Sequence, residues 1–372
     1  MRTPFSSDEL IRYSRHFVLP GFGESAQQKL REARVLVVGA GGLGAPVLYY
    51  LAAAGVGTLG VADADHVSLS NLQRQILFTE ADLHKNKAKA ASDRLKALNA
   101  HIRIEAIEQQ VTTTNALSLL ASYDVVIDAT DNFPTRYLLN DACVLLNKPL
   151  IYGSVFRYEG QVAVFNFEGG PNYRDLYPEP PAPGAVPNCE QGGVLGVLPG
   201  IIGCYQANEA IKIIAGMGPS LAGSLLLVDT LTLETTRIAV PQRNQRAAIK
   251  NLIDYDHFCG LTKKDKAMKE VTVQELKTMI DSKQDFQLID VREPHEYDIC
   301  NLQGELIPQG EIPHQVDRIA KDKKVVIHCR SGARSGNMVT WLEKNHGFTN
   351  LYNLKGGILA WADQIDPSVP KY

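Results

Sequence analysis

Short runs of apolar residues alternate with segments of helical period along the first two thirds of the chain. Arg34-Val35-Leu36-Val37-Val38 is a run of the kind buried on both faces of a parallel sheet. Thr58-Leu59-Gly60-Val61-Ala62-Asp63, residues 102–107 and Asp124-Val125-Val126-Ile127-Asp128 repeat the pattern. Helical period falls at 8–32, in a segment ending at Ala54, and near 85–99. Strands alternating with helices predict a doubly wound parallel α/β sheet. Residues 35–62 form an uncharged stretch of 28, but seven glycines and Pro46 divide it into strand, turn and helix. A membrane span is not expected there.

Beyond this sheet the pattern loosens and then restarts. Residues 171–187 hold six prolines and predict an extended loop running into Cys189. A second uncharged stretch, 192–208, predicts a helix, and strands at Ser224–Asp229 and 235–240 close a first domain over 1–245. Residues 246–270 lack apolar period, carry Lys263-Lys264-Asp265-Lys266, and read as a linker. From Val271 a new set begins, with strands at 287–291 and Lys324–His328, giving a second, smaller α/β domain over 271–372.

Composition agrees with 372 residues in two globular domains: 45% hydrophobic and 21% charged residues exclude a disordered or collagen-like chain. Lysines and arginines number 38 against 41 acidic residues, so a net charge of −3 offers no field for nucleic acid. Six cysteines without regular spacing are no disulfide framework and suit a reducing cytosol. Met1-Arg2-Thr3-Pro4-Phe5-Ser6 lacks the apolar stretch of a signal peptide, so a cytoplasmic location is expected. Cys143 and Cys204 lie in apolar segments and read as core residues.

The turn Gly39-x-Gly41-Gly42-x-Gly44 lies between a strand and a helix, the setting of a nucleotide-phosphate cradle. Asp63 ends the next strand, where a carboxylate holds ribose hydroxyls. A nicotinamide dehydrogenase would show the same two signals. Ser70-Asn71-Leu72-Gln73-Arg74-Gln75 and Lys87 add fixed positive charge beyond the adenosine half, which favours ATP over a dinucleotide. Asp131-Asn132 follows the strand ending at Asp128, and Asp131 suits a Mg²⁺ ion.

On these residues the chain resembles the MoeB/ThiF family of ubiquitin-activating-enzyme-like adenylyltransferases. The matches are Arg12-Tyr13-Ser14-Arg15, Gly39 to Gly44, Asp63-x-Asp65, the block through Ser70, Asn71, Arg74 and Gln75, Lys87, and Asp128-x-x-Asp131-Asn132. The resemblance spans roughly residues 8–240 and implies a Rossmann-like nucleotide-binding domain. It implies Mg²⁺-ATP adenylating the Gly-Gly carboxylate of a ubiquitin-like sulfur carrier. It also implies a homodimer in which Arg15 reaches the partner subunit's triphosphate, and a thiol intermediate at Cys189 on a crossover loop. Many members hold a structural zinc with two Cys-x-x-Cys pairs. Here Asn172 and Asp175 stand at the first pair and 243–248 contains no cysteine, so no zinc site is expected.

Cys329-Arg330-Ser331-Gly332-Ala333-Arg334-Ser335 follows the strand ending at His328 and precedes a helix. Successive amides, a helix N-terminus and two arginines favour a thiolate. Only four residues separate Cys329 from Arg334, one fewer than in phosphatase loops, and the smaller ring suits a persulfide sulfur. With Leu288 to Tyr297 and Leu354 to Trp361, this region resembles the rhodanese domain, although Cys300 to Glu305 departs from its usual turn. The two resemblances together imply an adenylyltransferase/sulfurtransferase in molybdopterin, thiamine or tRNA-thiolation chemistry, loaded by a persulfide donor such as a cysteine desulfurase. A nicotinamide oxidoreductase with a regulatory redox domain and a non-catalytic carrier scaffold are the rival readings.

Overall fold

A computed structural model describes residues 4–181, 192–243, 248–261 and 268–371. The chain divides into two compact units, Met1–Thr262 and Lys263–Tyr372.

The first unit is built on eight strands: β1 Arg34–Val38, β2 Thr58–Ala62, β3 Arg103–Ile107, β4 Val125–Asp128, β5 Leu150–Phe156, β6 Glu159–Phe165, β7 Ser224–Asp229 and β8 Thr235–Ala239. Their order is β3-β2-β1-β4-β5-β6-β7-β8. The strands from β3 to β5 in that order pair parallel, and β6 to β8 continue antiparallel. Because β1 lies between β2 and β4, the chain reverses its direction of winding there, and a crevice opens at the carboxyl ends. Alternation along β1 sorts its side chains. Val35 and Val37 face one core with Leu30, Leu48, Leu51, Leu95 and Ile202, whereas Leu36 and Val38 face another with Leu120, Tyr137 and Leu139.

The uncharged stretch resolves into β1, the glycine turn, helix Gly44–Ala54 and β2. Among the described residues no helix is long and apolar enough to cross a membrane. Helical material at the N-terminus is divided into Ser7–Arg12, Ser14–Phe17 and Gly23–Glu32. The second uncharged stretch forms helix Val197–Ala215, starting later and running further than its polarity indicated. Cys143 is fully buried, but Cys204 on this helix is half-buried, a correction to its reading as core.

The proline-rich segment is not extended throughout. Asn172 caps a short helix, Tyr173–Leu176: its side chain accepts from Arg174 N–H at 2.9 Å, and Asp175 Oδ2 accepts Asn172 N–H at 2.8 Å. Asp175 also accepts Arg243 N–H at 3.0 Å, while Arg243 Nε donates to Asp175 O at 2.7 Å. A hydrogen-bonded clasp, buried at Asn172 and Asp175, thus joins the base of this segment to the chain beyond β8.

Residues 248–261, within the stretch read as linker, pack in the first unit. Tyr255 donates its hydroxyl to Asp141 at 2.8 Å, and Arg174 grips the same carboxylate with two bonds of 2.8 Å. Arg174 lies 4.6 Å from the Phe258 ring centroid.

The second unit is a parallel sheet of β9 Glu270–Val271, β10 Phe286–Asp290, β11 Glu305–Leu306, β12 Lys324–His328 and β13 Leu351–Leu354, in the order β11-β10-β12-β13-β9. Helices Val273–Asp281, Pro294–Ile299, Ala333–His346 and Gly357–Gln364 connect and cover it. Val325 and Ile327 contribute to one core and Val326 to another, so the central strand is buried on both faces.

Candidate active sites

The crevice of the first unit starts from a steric requirement. Gly39 has φ +97°, and a Cβ there would lie 2.5 Å from the carbonyl oxygen of Ala129 after β4. A Cβ on Gly44 would lie 2.0 Å from Gly39 O. Glycine at both places lets β1 turn into helix Gly44–Ala54 against the end of β4. The turn leaves the Ala40 amide facing Asp63, whose Oδ2 accepts it at 2.8 Å, while Oδ1 accepts Asp65 N–H at 2.8 Å. Burial raises the Asp63 carboxyl above its usual value, opposed by the Ala40 amide and then the Lys87 charge.

The block after β2 folds against this turn. A Cβ on Gly41 would touch the Gln75 amide nitrogen at 3.5 Å, and one on Gly42 would lie 3.5 Å from the Arg74 side chain. Arg74 Nη1 donates to Ser70 O at 3.1 Å. Gln75 is buried and its Oε1 has no hydrogen-bond partner. Asn71 is half-buried and Ser70 exposed. Lys87 opens helix Lys87–Leu98 and is buried, with Nζ 3.2 Å from exposed Asp65. Asp131 is exposed past the end of β4, and Asn132 caps helix Phe133–Leu146 by accepting Thr135 N–H at 3.0 Å. The glycines, Asp63, Asp65, Ser70 to Gln75, Lys87, Asp131 and Asn132 therefore gather at the carboxyl edge of β1, β2 and β4.

Arg15 is not brought to this crevice. Its neighbours Tyr13 and His16 are anchored at Gly55 and through Gln27 to Ala54. That is the far end of an 11-residue helix, about 16 Å from the glycine turn at 1.5 Å per residue. Cys189 lies outside the described residues.

Two further residues shape the crevice floor. Asp128 is fully buried, accepts the Thr130 amide and hydroxyl at 2.9 and 2.6 Å, and pairs with Arg136 at 3.3 Å. Gln206 donates to Asp128 O at 2.7 Å and Ile151 O at 3.3 Å, tying the ends of β4 and β5. The sequence contains a signal for Gln206 only in retrospect: Gly153 is the residue whose Cβ would strike it, at 2.4 Å.

In the second unit Cys329 follows β12 and is buried. Its sulfur accepts Gly332 N–H at 3.2 Å and lies 3.4 Å from the Ser335 hydroxyl, which donates to Asn353 Oδ1 at 2.6 Å. The loop from Arg330 through Ser331, Gly332 and Ala333 is closed from beneath by Gly357. A Cβ there would lie 2.5 Å from both Cys329 O and Arg330 O. Ile358 and Leu359 amides donate to those two carbonyls at 2.9 and 3.1 Å. Arg334 opens toward Glu296, with two bonds of 2.6 Å. Beside the loop, His328 is fully buried with Nε2 3.6 Å from Asp290 Oδ2, and burial lowers its pKa.

Two family profiles match the chain: the ThiF family over residues 13–249 and a rhodanese-like domain over 272–364. The chain belongs to the ThiF family. Its rhodanese-like domain is the second unit. "Probable adenylyltransferase/sulfurtransferase MoeZ" of Mycobacterium tuberculosis H37Rv is 44% identical over 99% of this chain and 96% of its own length. "Adenylyltransferase and sulfurtransferase MOCS3" of Sus scrofa is 40% identical over 100% of this chain and 89% of its own. Among solved structures, E. coli MccB superposes with a TM-score of 0.58 at 21% identity, covering 69% of this chain and 75% of that one. PaaA superposes at 0.55 and 21% identity, covering 64% and 76%. These two show the fold.

If Asp63 holds the ATP ribose, as its place after β2 leads one to expect, its ionised carboxylate would be the acceptor. A raised pKa means that protonation removes the acceptor at a higher pH than for an ordinary aspartate. ATP affinity should therefore hold above that pKa and fall as the medium is acidified through it. Asp63→Asn should weaken ATP binding about tenfold at neutral pH, the scale of a charge-assisted hydrogen bond, and flatten the acid limb of a binding titration. An Asn variant with the wild-type pH dependence would contradict this role.

Proposed function

We propose that this enzyme uses ATP to adenylate the C-terminal Gly-Gly carboxylate of a ubiquitin-like sulfur carrier, then converts it to a thiocarboxylate with sulfur carried on Cys329. The observation that carries the proposal is the MoeZ and MOCS3 likeness, which runs through both units rather than one. A carboxylate is a poor electrophile. Its oxygen attacks the α-phosphorus, pyrophosphate leaves, and the resulting acyl-adenylate is open to attack. The Gly39 to Gly44 turn would cradle phosphates at a helix N-terminus, Asp63 the ribose, and Arg74 and Lys87 the charge that builds on the leaving pyrophosphate. Asp131, an exposed carboxylate at the crevice, would be the residue to hold a hard Mg²⁺ ion. When bound, Mg²⁺ would neutralise phosphate charge.

The Cys329 persulfide attacks the acyl carbonyl, AMP leaves, and an acyl disulfide remains. Thiolate attack on the Cys329 sulfur, by Cys189 or an external reductant, releases the thiocarboxylate and leaves a disulfide. An external thiol reductant returns that disulfide to the Cys329 thiolate, which a persulfide donor such as a cysteine desulfurase then reloads. Arg15's position, away from its own chain's crevice, supports a homodimer in which it serves the partner subunit. Thiol chemistry of this kind suits a reducing cytoplasm. The product serves molybdopterin, thiamine or tRNA-thiolation chemistry. The rival reading, a nicotinamide oxidoreductase with a regulatory redox domain, is not favoured by the adenylyltransferase/sulfurtransferase relatives.

We also infer that the first unit has no structural zinc. What supports this is the Asn172–Asp175–Arg243 clasp, in which both Asp175 carboxylate oxygens accept backbone amides.

Residues on the two chemistries should separate. Asp131→Ala should cut carrier-dependent pyrophosphate exchange about a hundredfold or more. Cys329→Ser should leave exchange within about twofold while abolishing sulfur transfer, because a hydroxyl holds no sulfane sulfur. Normal exchange by the first variant, or wild-type thiocarboxylate formation by the second, would contradict the assignments. Elemental analysis of purified protein should find zinc well below one atom per chain; a stoichiometric, chelator-resistant zinc would refute the clasp as a replacement.

A further inference from the structure

β4 ends at Asp128, and the residues after it lead into helix Phe133–Leu146. Asp131 is exposed in this stretch and its carboxylate has no partner among the described residues, yet the backbone on either side of it is clamped. On the near side, Asp128 Oδ1 accepts the Thr130 amide at 2.9 Å and the Thr130 hydroxyl at 2.6 Å. Arg136 Nη2 donates at 3.1 Å to Thr130 O, the carbonyl of the peptide that supplies the Asp131 amide. On the far side, Asn132 Oδ1 accepts Thr135 N–H at 3.0 Å, and Asn132 O accepts the Arg136 amide at 3.3 Å. Arg136 therefore reaches both flanks of Asp131, by its side chain before and by its backbone after.

The guanidinium that does this is itself immobilised. Its Nε donates to Asp128 Oδ2 at 3.3 Å, in a pair of which 7% of the arginine side chain and none of the aspartate is exposed. Its central carbon lies 5.0 Å from the Tyr152 ring centroid and 5.6 Å from that of Phe133. Desolvation offsets most of what a buried pair gains by attraction, so net stability accounts poorly for this one. What the pair achieves is a peptide plane fixed during folding, so that an arriving cation need not order the backbone that bears its ligand. A rigid fork is required, because a lysine ammonium is a point charge on a flexible stem. We propose that Arg136 is a positioning residue for the metal of ATP, holding Thr130 O so that Asp131 is presented to Mg²⁺; this rests on the reading above that Asp131 holds that ion.

The test is the ratio of ATP dissociation constants without and with saturating Mg²⁺, measured by calorimetry on the full chain in the absence of carrier, a readout independent of turnover. Arg136→Lys keeps the charge beside Asp128 but loses the fork, and the ratio should fall about tenfold, the scale of one hydrogen bond to a charged group. Thr130→Ala removes only the hydroxyl held by Asp128 and should lower the ratio about threefold, whereas Thr130→Ser should keep the wild-type value. ATP affinity without Mg²⁺ should move by less than about twofold in all three. Should Arg136→Lys fail to fold, the Thr130 pair decides. A wild-type ratio near one, or an Asp131→Ala ratio equal to wild type, overturns the Mg²⁺ reading and this proposal with it. If Asp131→Ala loses the ratio while Arg136→Lys and Thr130→Ala keep it, the positioning role alone is overturned. ATP affinity that drops equally with and without Mg²⁺ marks a merely structural role and overturns it as well.

Discussion

Two backbone segments must touch for the first unit to have a site at all. Gly39 meets Ala129 where β1 and β4 end, a contact that no side chain at position 39 would survive. From it follow the turn into helix Gly44–Ala54, the Ala40 amide presented to Asp63, and the packing of Arg74 and Gln75 over Gly41 and Gly42. The second unit repeats the device with different parts. Gly357 lies against the carbonyls of Cys329 and Arg330, and the following two amides bond to them. In both units glycine makes room for one backbone segment to pack against another.

Charge is handled by pairing near both sites. Lys87 is held by Asp65 in the crevice, Arg136 by Asp128 beneath it, and Arg334 by Glu296 beside the loop. The Lys87 pair is the open one, since Asp65 is largely exposed while Lys87 is buried. The Asp128–Arg136 pair is shut away from solvent and keeps the end of β4 in shape.

Much of this was readable along the chain because parallel strands buried on both faces leave uninterrupted apolar runs. β1, β2, β4 and β12 fall where those runs are, and the glycine turn and Cys329 loop sit at their ends. The rest is carried by tertiary contact or by a short polar signal. The Asn172…Asp175 spacing is a capping box, but six surrounding prolines masked it. Cys204 looked buried because its segment is uncharged, yet one side of helix Val197–Ala215 is accessible. Glu296 was visible within the stretch Arg292 to Tyr297, but its partner lies 38 residues away and only the fold brings them together. Gln206 likewise acts across 78 residues.

The central claim is that one chain both activates and sulfurates a carrier's terminal carboxylate. Intact-mass spectrometry of a Gly-Gly-ended ubiquitin-like carrier, incubated with this protein, Mg²⁺-ATP, a persulfide donor and a reductant, tests it most directly. The account predicts conversion of carrier to its thiocarboxylate, one oxygen replaced by sulfur, only when ATP and the sulfur donor are both present. Carrier mass unchanged under those conditions, or conversion that proceeds without ATP, would contradict it.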